Sequence, residues 1–90
     1  MREGSVTVVN RLGLHARAAA RLVRLSAGFT SRIILIEPVR NVTADSKSIL
    51  SVLTLSASIG SLVLIKVEGE DEDRAFEAVE ELFRNGFGEQ

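Results

Sequence analysis

The run Leu62-Val63-Leu64-Ile65-Lys66-Val67, closed by Glu68-Gly69, is the strongest strand signal in the chain and the feature that most limits its fold. A stretch so dense in aliphatic and β-branched residues, bounded by turn residues, belongs at a central position in a sheet. Ser5-Val6-Thr7-Val8-Val9 alternates as a second strand and is broken by Asn10-Arg11-Leu12-Gly13. Arg32-Ile33-Ile34-Leu35-Ile36 reads as a third, bounded by Glu37-Pro38, and Val39 to Thr43 returns as a short edge strand. Helical spacing fills the gaps. From Ala16 to Ala27, Ala19, Ala20, Leu22, Val23 and Ala27 gather near one face, with Gly28 as C-cap. Asp45-Ser46-Lys47-Ser48 offers two hydroxyls and a carboxylate to cap a short helix through Ile49, Leu50, Val52, Leu53 and Leu55. After Asp71-Glu72-Asp73, the residues Ala75, Phe76, Val79, Leu82 and Phe83 mark an amphipathic helix, with Arg84 in its last turn and Gly86 just beyond. The order β-α-β-β-α-β-α does not alternate as a parallel series would. It predicts a two-layer α+β domain, a mainly antiparallel sheet with helices on one face.

Composition then narrows the function. The 90 residues suit one domain over 1–90 with a single core. With no cysteine there is neither a disulfide framework nor a thiolate metal site, and one histidine among scattered carboxylates does not make a zinc cluster, so no metal is expected. Met1-Arg2-Glu3-Gly4 leads straight into strand pattern, and no apolar run approaches the roughly 20 residues needed to span a bilayer. The expectation is a cytoplasmic, unprocessed monomer with no membrane insertion. Charge is divided along the chain: residues 1–50 carry eight Lys or Arg against three acids, and residues 51–90 carry three against nine. That split predicts a basic face meeting an acidic protein partner. Nucleic acid fits less well, because there is no Trp or Tyr for stacking, only two Lys, and much acidic surface to repel a polyanion.

The single histidine, His15, stands between the glycine turn and the alanine-rich helix. A helix N-terminus has unpaired N–H groups and partial positive charge, so it holds anions. No Gly-x-Ser-x-Gly elbow accompanies the histidine, which argues against a hydrolase, and no phosphate-cradling glycine loop argues for a nucleotide. What remains is an imidazole acting as a nucleophile toward phosphorus. Imidazole titrates near 6.5 and therefore has a neutral nitrogen at cytosolic pH. The phosphate it acquires would be cushioned by the N–H groups of Ala16 and Arg17, the Arg17 guanidinium and the helix dipole, the last worth ~0.3 to 1 kcal/mol. Arg17, Arg21 and Arg24 share one ridge at i, i+4 and i+7. The apolar residues of the short helix spread around more of its circumference than one buried stripe accommodates, which makes Leu50 and Leu53 candidates for a docking patch.

The segment Leu12-Gly13-Leu14-His15-Ala16-Arg17-Ala18-Ala19-Ala20-Arg21-Leu22-Val23 closely resembles the active-site segment of HPr, the histidine-containing phosphocarrier family of the bacterial phosphoenolpyruvate-dependent sugar phosphotransferase system. Lys47-Ser48-Ile49-Leu50 is similar to that family's regulatory serine segment and Gly69-Glu70-Asp71-Glu72 to the start of its final helix. The resemblance implies an open-faced β-sandwich of four antiparallel strands with three helices on one side. It implies that His15 takes a phosphoryl group on Nδ1 from enzyme I and donates it to an enzyme IIA component, with Arg17 steadying the phosphate and no cofactor required. Arg21 and Arg24, with Ile49, Leu50 and Leu53, would meet both partners. Ser48, which follows a lysine and precedes an apolar pair, is selected over Ser46 as the phosphoserine set by an HPr kinase/phosphorylase. Ala18 stands where the family usually has proline, and Ser56 where a glycine is common. Two other readings are a regulatory module that transfers no phosphate, which should lack the histidine, and a nitrogen-related branch that signals without moving sugar.

Overall fold

The computed structural model describes residues 1–89. Its elements are β1 (Arg2–Thr7), α1 (Ala16–Ala27), β2 (Arg32–Glu37), β3 (Val42–Asp45), α2 (Ile49–Leu53), β4 (Leu62–Glu68) and α3 (Glu72–Arg84), followed by a 3-10 turn over Gly86–Gly88. The sheet has the order β1-β4-β2-β3 and is antiparallel throughout. The aliphatic run of β4 is thus an interior strand, with Ile65 opposite Gly4 on one side and Leu35 on the other. Val63, Ile65 and Val67 point with Ile33, Leu35 and Ala44 into the core, where Ala18, Ala19, Leu22, Val52, Ala75, Val79 and Phe83 close over them. Burying each Val, Leu, Ile or Phe side chain of this core stabilises the fold by about 1.5 to 3 kcal/mol. The opposite face, with Ile34, Ile36, Leu64 and Lys66, has no helix over it and is only half-buried. This is an open-faced α+β sandwich, whose two-layer antiparallel arrangement is the one expected from the element order and whose open face is the one the family resemblance implies.

Three element boundaries differ from the periodicity. β1 runs over Arg2–Thr7 instead of Ser5–Val9. Its ladder with β4 ends at Thr7 opposite Leu62, and Val8 turns its N–H and carbonyl to Ser61 and Gly60. Gly4, a poor strand former, lies within it opposite Ile65, and a Cβ there would come 2.5 Å from the Phe76 ring, which would have to shift. β3 begins at Val42 and not at Val39, since the buried Glu37 carboxylate accepts hydrogen bonds from the Val39 and Arg40 amides and the Arg40 side chain. Those bonds close residues 38–41 into a turn, with Asn41 at φ +57. α2 ends at Leu53, so Leu55 lies beyond it, buried, and Ser56 leaves the helix at φ +46.

Two loops pack together to present the end of α1. Gly13 adopts φ +67, and any Cβ there would run into the Ala57 carbonyl and lie 2.9 Å from Ser58 Cα. Leu14, buried, donates its N–H to the Ala57 carbonyl at 2.9 Å. Between them these contacts dock the β1–α1 turn on the α2–β4 loop and deliver the next residue to the head of the helix.

Candidate functional site

That residue is His15, the N-cap of α1. Its backbone is extended, its carbonyl accepts the first helical bond from Ala19 at 2.8 Å, and its Nδ1 accepts from the Arg17 amide at 3.3 Å. An imidazole nitrogen here does what a serine or aspartate oxygen does at other helix starts, accepting from one of the orphan amides. On the other side of the ring, Nε2 lies 2.7 Å from Glu89 Oε2. A carboxylate accepts, so Nε2 carries the proton and Nδ1 the lone pair. The ring is 27% exposed, enough for a partner to reach it.

Glu89 is itself held. Asn10, buried, donates its side-chain amide to the Gly13 carbonyl at 2.8 Å and to Glu89 Oε1 at 3.0 Å. Burial pushes the Glu89 carboxyl up, but the hydrogen bonds from Asn10 and His15 and the charge of Arg17 outweigh it and hold the group below the usual carboxylate range. The chain reaches this point by turning back after α3. Gly86, Phe87 and Gly88 all have positive φ, Phe87 is buried edge-on against Phe83 with centroids 4.9 Å apart, and Arg21 donates to the Phe87 carbonyl. Arg11, Leu12, Arg17, Arg21, Gly88 and Glu89 line a cleft of about 430 Å³.

The residues singled out from the sequence divide into two neighbouring groups. Ala16 and Arg17 are exposed in the first turn of α1, Arg24 is exposed further along, and Arg21 is half-buried by its bond to the segment after α3. On α2, Ser48 is the N-cap and its Oγ accepts from the Ser51 amide at 3.3 Å. Ile49 is 40% exposed and Leu50 74%, whereas Leu53 is half-buried against the core. Ser46 is fully buried, its hydroxyl 2.6 Å from that of Ser26. Asn10, Arg11, Phe87 and Glu89 were not singled out. The glycines flanking Phe87 signal a reversal, yet nothing local says where the reversed chain lands. Among the described residues, no group of three or more His, Cys, Asp or Glu side chains is placed to hold a metal ion, and no helix is long and apolar enough to cross a membrane.

A histidine whose free nitrogen faces helix amides is the arrangement a phosphohistidine needs. The family described as "PTS HPr component phosphorylation site" matches residues 2–85. The chain belongs to the HPr family. The phosphocarrier protein HPr of Xylella fastidiosa is 46% identical over 89 residues, covering 99% of this chain and 98% of its own. The crystal structure of an HPr from Thermoanaerobacter tengcongensis superposes with a TM-score of 0.93 at 36% identity, covering 100% of this chain and 99% of that one. The phosphocarrier protein NPr of Escherichia coli is 33% identical over 85 residues, 94% of this chain and 93% of its own. The chain is therefore an HPr-family phosphocarrier of the phosphotransferase system and not a catalyst.

Proposed function

We propose that His15 Nδ1 accepts a phosphoryl group from phosphorylated enzyme I and passes it to an enzyme IIA component in the cytoplasm. The observation that carries this reading is the division of labour on the ring: Nε2 is bonded to Glu89 while Nδ1 faces the Arg17 amide. When Nδ1 attacks phosphorus, the bond between phosphorus and the donor atom breaks and its electron pair stays with the donor. The new phosphate oxygens take over the amides of Ala16 and Arg17, and the exposed Arg17 guanidinium reaches them from the side. Stabilisation of this kind is modest, so the group remains transferable.

Arg21 and Arg24 on α1, with Ile49, Leu50 and Leu53 on α2, form the docking surface in this reading, the exposed Leu50 being its apolar centre. Ser48 is the regulatory serine, and a kinase/phosphorylase of the HPr type is its modifying partner. Its exposure relative to the buried Ser46 supports that choice. Phosphate on Ser48 would repel an acidic partner surface without unfolding α2. The test is to incubate the chain with phosphoenolpyruvate and enzyme I. An acid-labile, base-stable phosphate absent from His15→Ala supports the carrier reading, and its absence from wild type overturns it. Ser48→Asp should slow transfer several-fold at limiting enzyme I, and an unchanged rate would remove Ser48 from the scheme.

The likeness to NPr supports a second reading, a branch that signals without moving sugar. Higher identity to the HPr of Xylella fastidiosa favours the first. Supplying the phosphorylated chain with acceptor domains of each branch and measuring which drains the phosphate distinguishes them.

A further inference from the structure

The segment after α3 is built at some conformational cost. Three successive residues, Gly86, Phe87 and Gly88, lie in the left-handed region, and Phe87 has a side chain. A non-glycine residue there is strained and persists only where its surroundings over-determine it. Here they do. Phe87 is wholly buried against Phe83, and the Arg21 guanidinium grips its carbonyl. A Cβ on Gly88 would come within 3.2 Å of that guanidinium, so the path is closely fitted. The effect of the reversal is to carry one carboxylate to the unused side of the His15 ring, where Asn10 orients it.

We propose that this hook is a positioning device for phosphoryl transfer, in which Glu89 keeps the His15 proton on Nε2 and the lone pair on Nδ1. The inference rests on the reading of His15 as a phosphoryl carrier. Two contacts then act on the ring together, since the Arg17 amide already favours a lone pair on Nδ1. The carboxylate does not compete with the incoming group, because it occupies the opposite nitrogen. As the Nδ1–phosphorus bond forms, the ring becomes cationic with its proton still on Nε2, and Glu89 supplies the opposite charge. No proton leaves during the step, and the electron pair of the broken bond departs with the donor. Glu89 is a positioning residue, and Phe87 and Arg21 hold it in place.

The experiment compares wild type, Glu89→Ala and Glu89→Gln as full chains. Nitrogen-15 NMR of the neutral ring reports the tautomer, and transfer from enzyme I reports the chemistry. In Glu89→Ala the Nδ1–H tautomer becomes detectable, and the rate at saturating phosphorylated enzyme I falls about tenfold with little change in the half-saturating concentration. In Glu89→Gln the amide oxygen still accepts from Nε2, so the wild-type tautomer is kept and less rate is lost than in Glu89→Ala. A Glu89→Ala chain with wild-type tautomer and saturated rate overturns the positioning role while leaving the carrier reading intact. A wild-type chain that takes no phosphate overturns both.

Discussion

Gly13 shows how one missing methyl group shapes the site. At φ +67 an L side chain is strained, and its Cβ would press on rigid backbone at Ala57 and Ser58, which nothing flexible can relieve. Gly13→Ala should cost about 2 to 3 kcal/mol in urea denaturation, through strain and overpacking together. Ser56 is the reverse case. It holds φ +46 in an exposed turn where the family commonly has glycine, so Ser56→Gly should raise stability by about 0.5 to 1 kcal/mol, seen as a higher melting temperature. His15 and Arg17 were legible as neighbours at the head of a helix, because a glycine turn followed by an alanine-rich run is a local signal for a helix start. Glu89 was not, since it lies 74 residues away from His15 and no periodicity links the two.

At the level of elements, α1 tolerates its unusual third residue for a geometric reason. The first helical bond runs from the Ala19 amide to His15, so the Ala18 amide is outside the ladder and proline's missing N–H removes nothing. Ala18→Pro should fold with a stability within about 1 kcal/mol of wild type by thermal melting. The start of α3 behaves differently from the sequence pattern. Asp71 makes no cap bond to its own helix and instead binds the Thr30 and Ser31 amides and the Ser31 hydroxyl, tying the α1–β2 loop to α3. The Ser31 hydroxyl and the Thr30 amide, working against burial, lower its carboxyl to about 2 from 3.8. A depressed carboxylate contributes stability that is present above the unfolded value and lost as pH falls through the folded one. The melting temperature should therefore drop between about pH 4 and pH 2, and Asp71→Asn, less stable than wild type at neutral pH, should converge with it across that window.

For the whole molecule, the uneven charge of the two halves becomes a prediction about encounter. Arg17 and Arg24 are exposed on α1, which packs against α2 with its exposed Leu50, so an acidic partner should be drawn to this side by a field that salt screens. Arg24→Glu should slow transfer from limiting enzyme I several-fold at low salt, with the difference shrinking toward 1 M salt, where the Debye length is about 3 Å. The element order, the interior place of β4 and the helix start at His15 were readable from the chain alone, because periodicity and capping act over a few residues. The limits of β1 and β3 were not, since pairing with the distant β4 sets the first and the buried Glu37 closes the turn before Val42. Local chemistry determined that a histidine would sit at the head of a helix with a ring nitrogen near free amides. Only the folded chain decided which carboxylate would meet its other nitrogen, because Asn10, His15, Arg21 and Glu89 converge through a buried phenylalanine and a reversal whose destination depends on packing between distant segments.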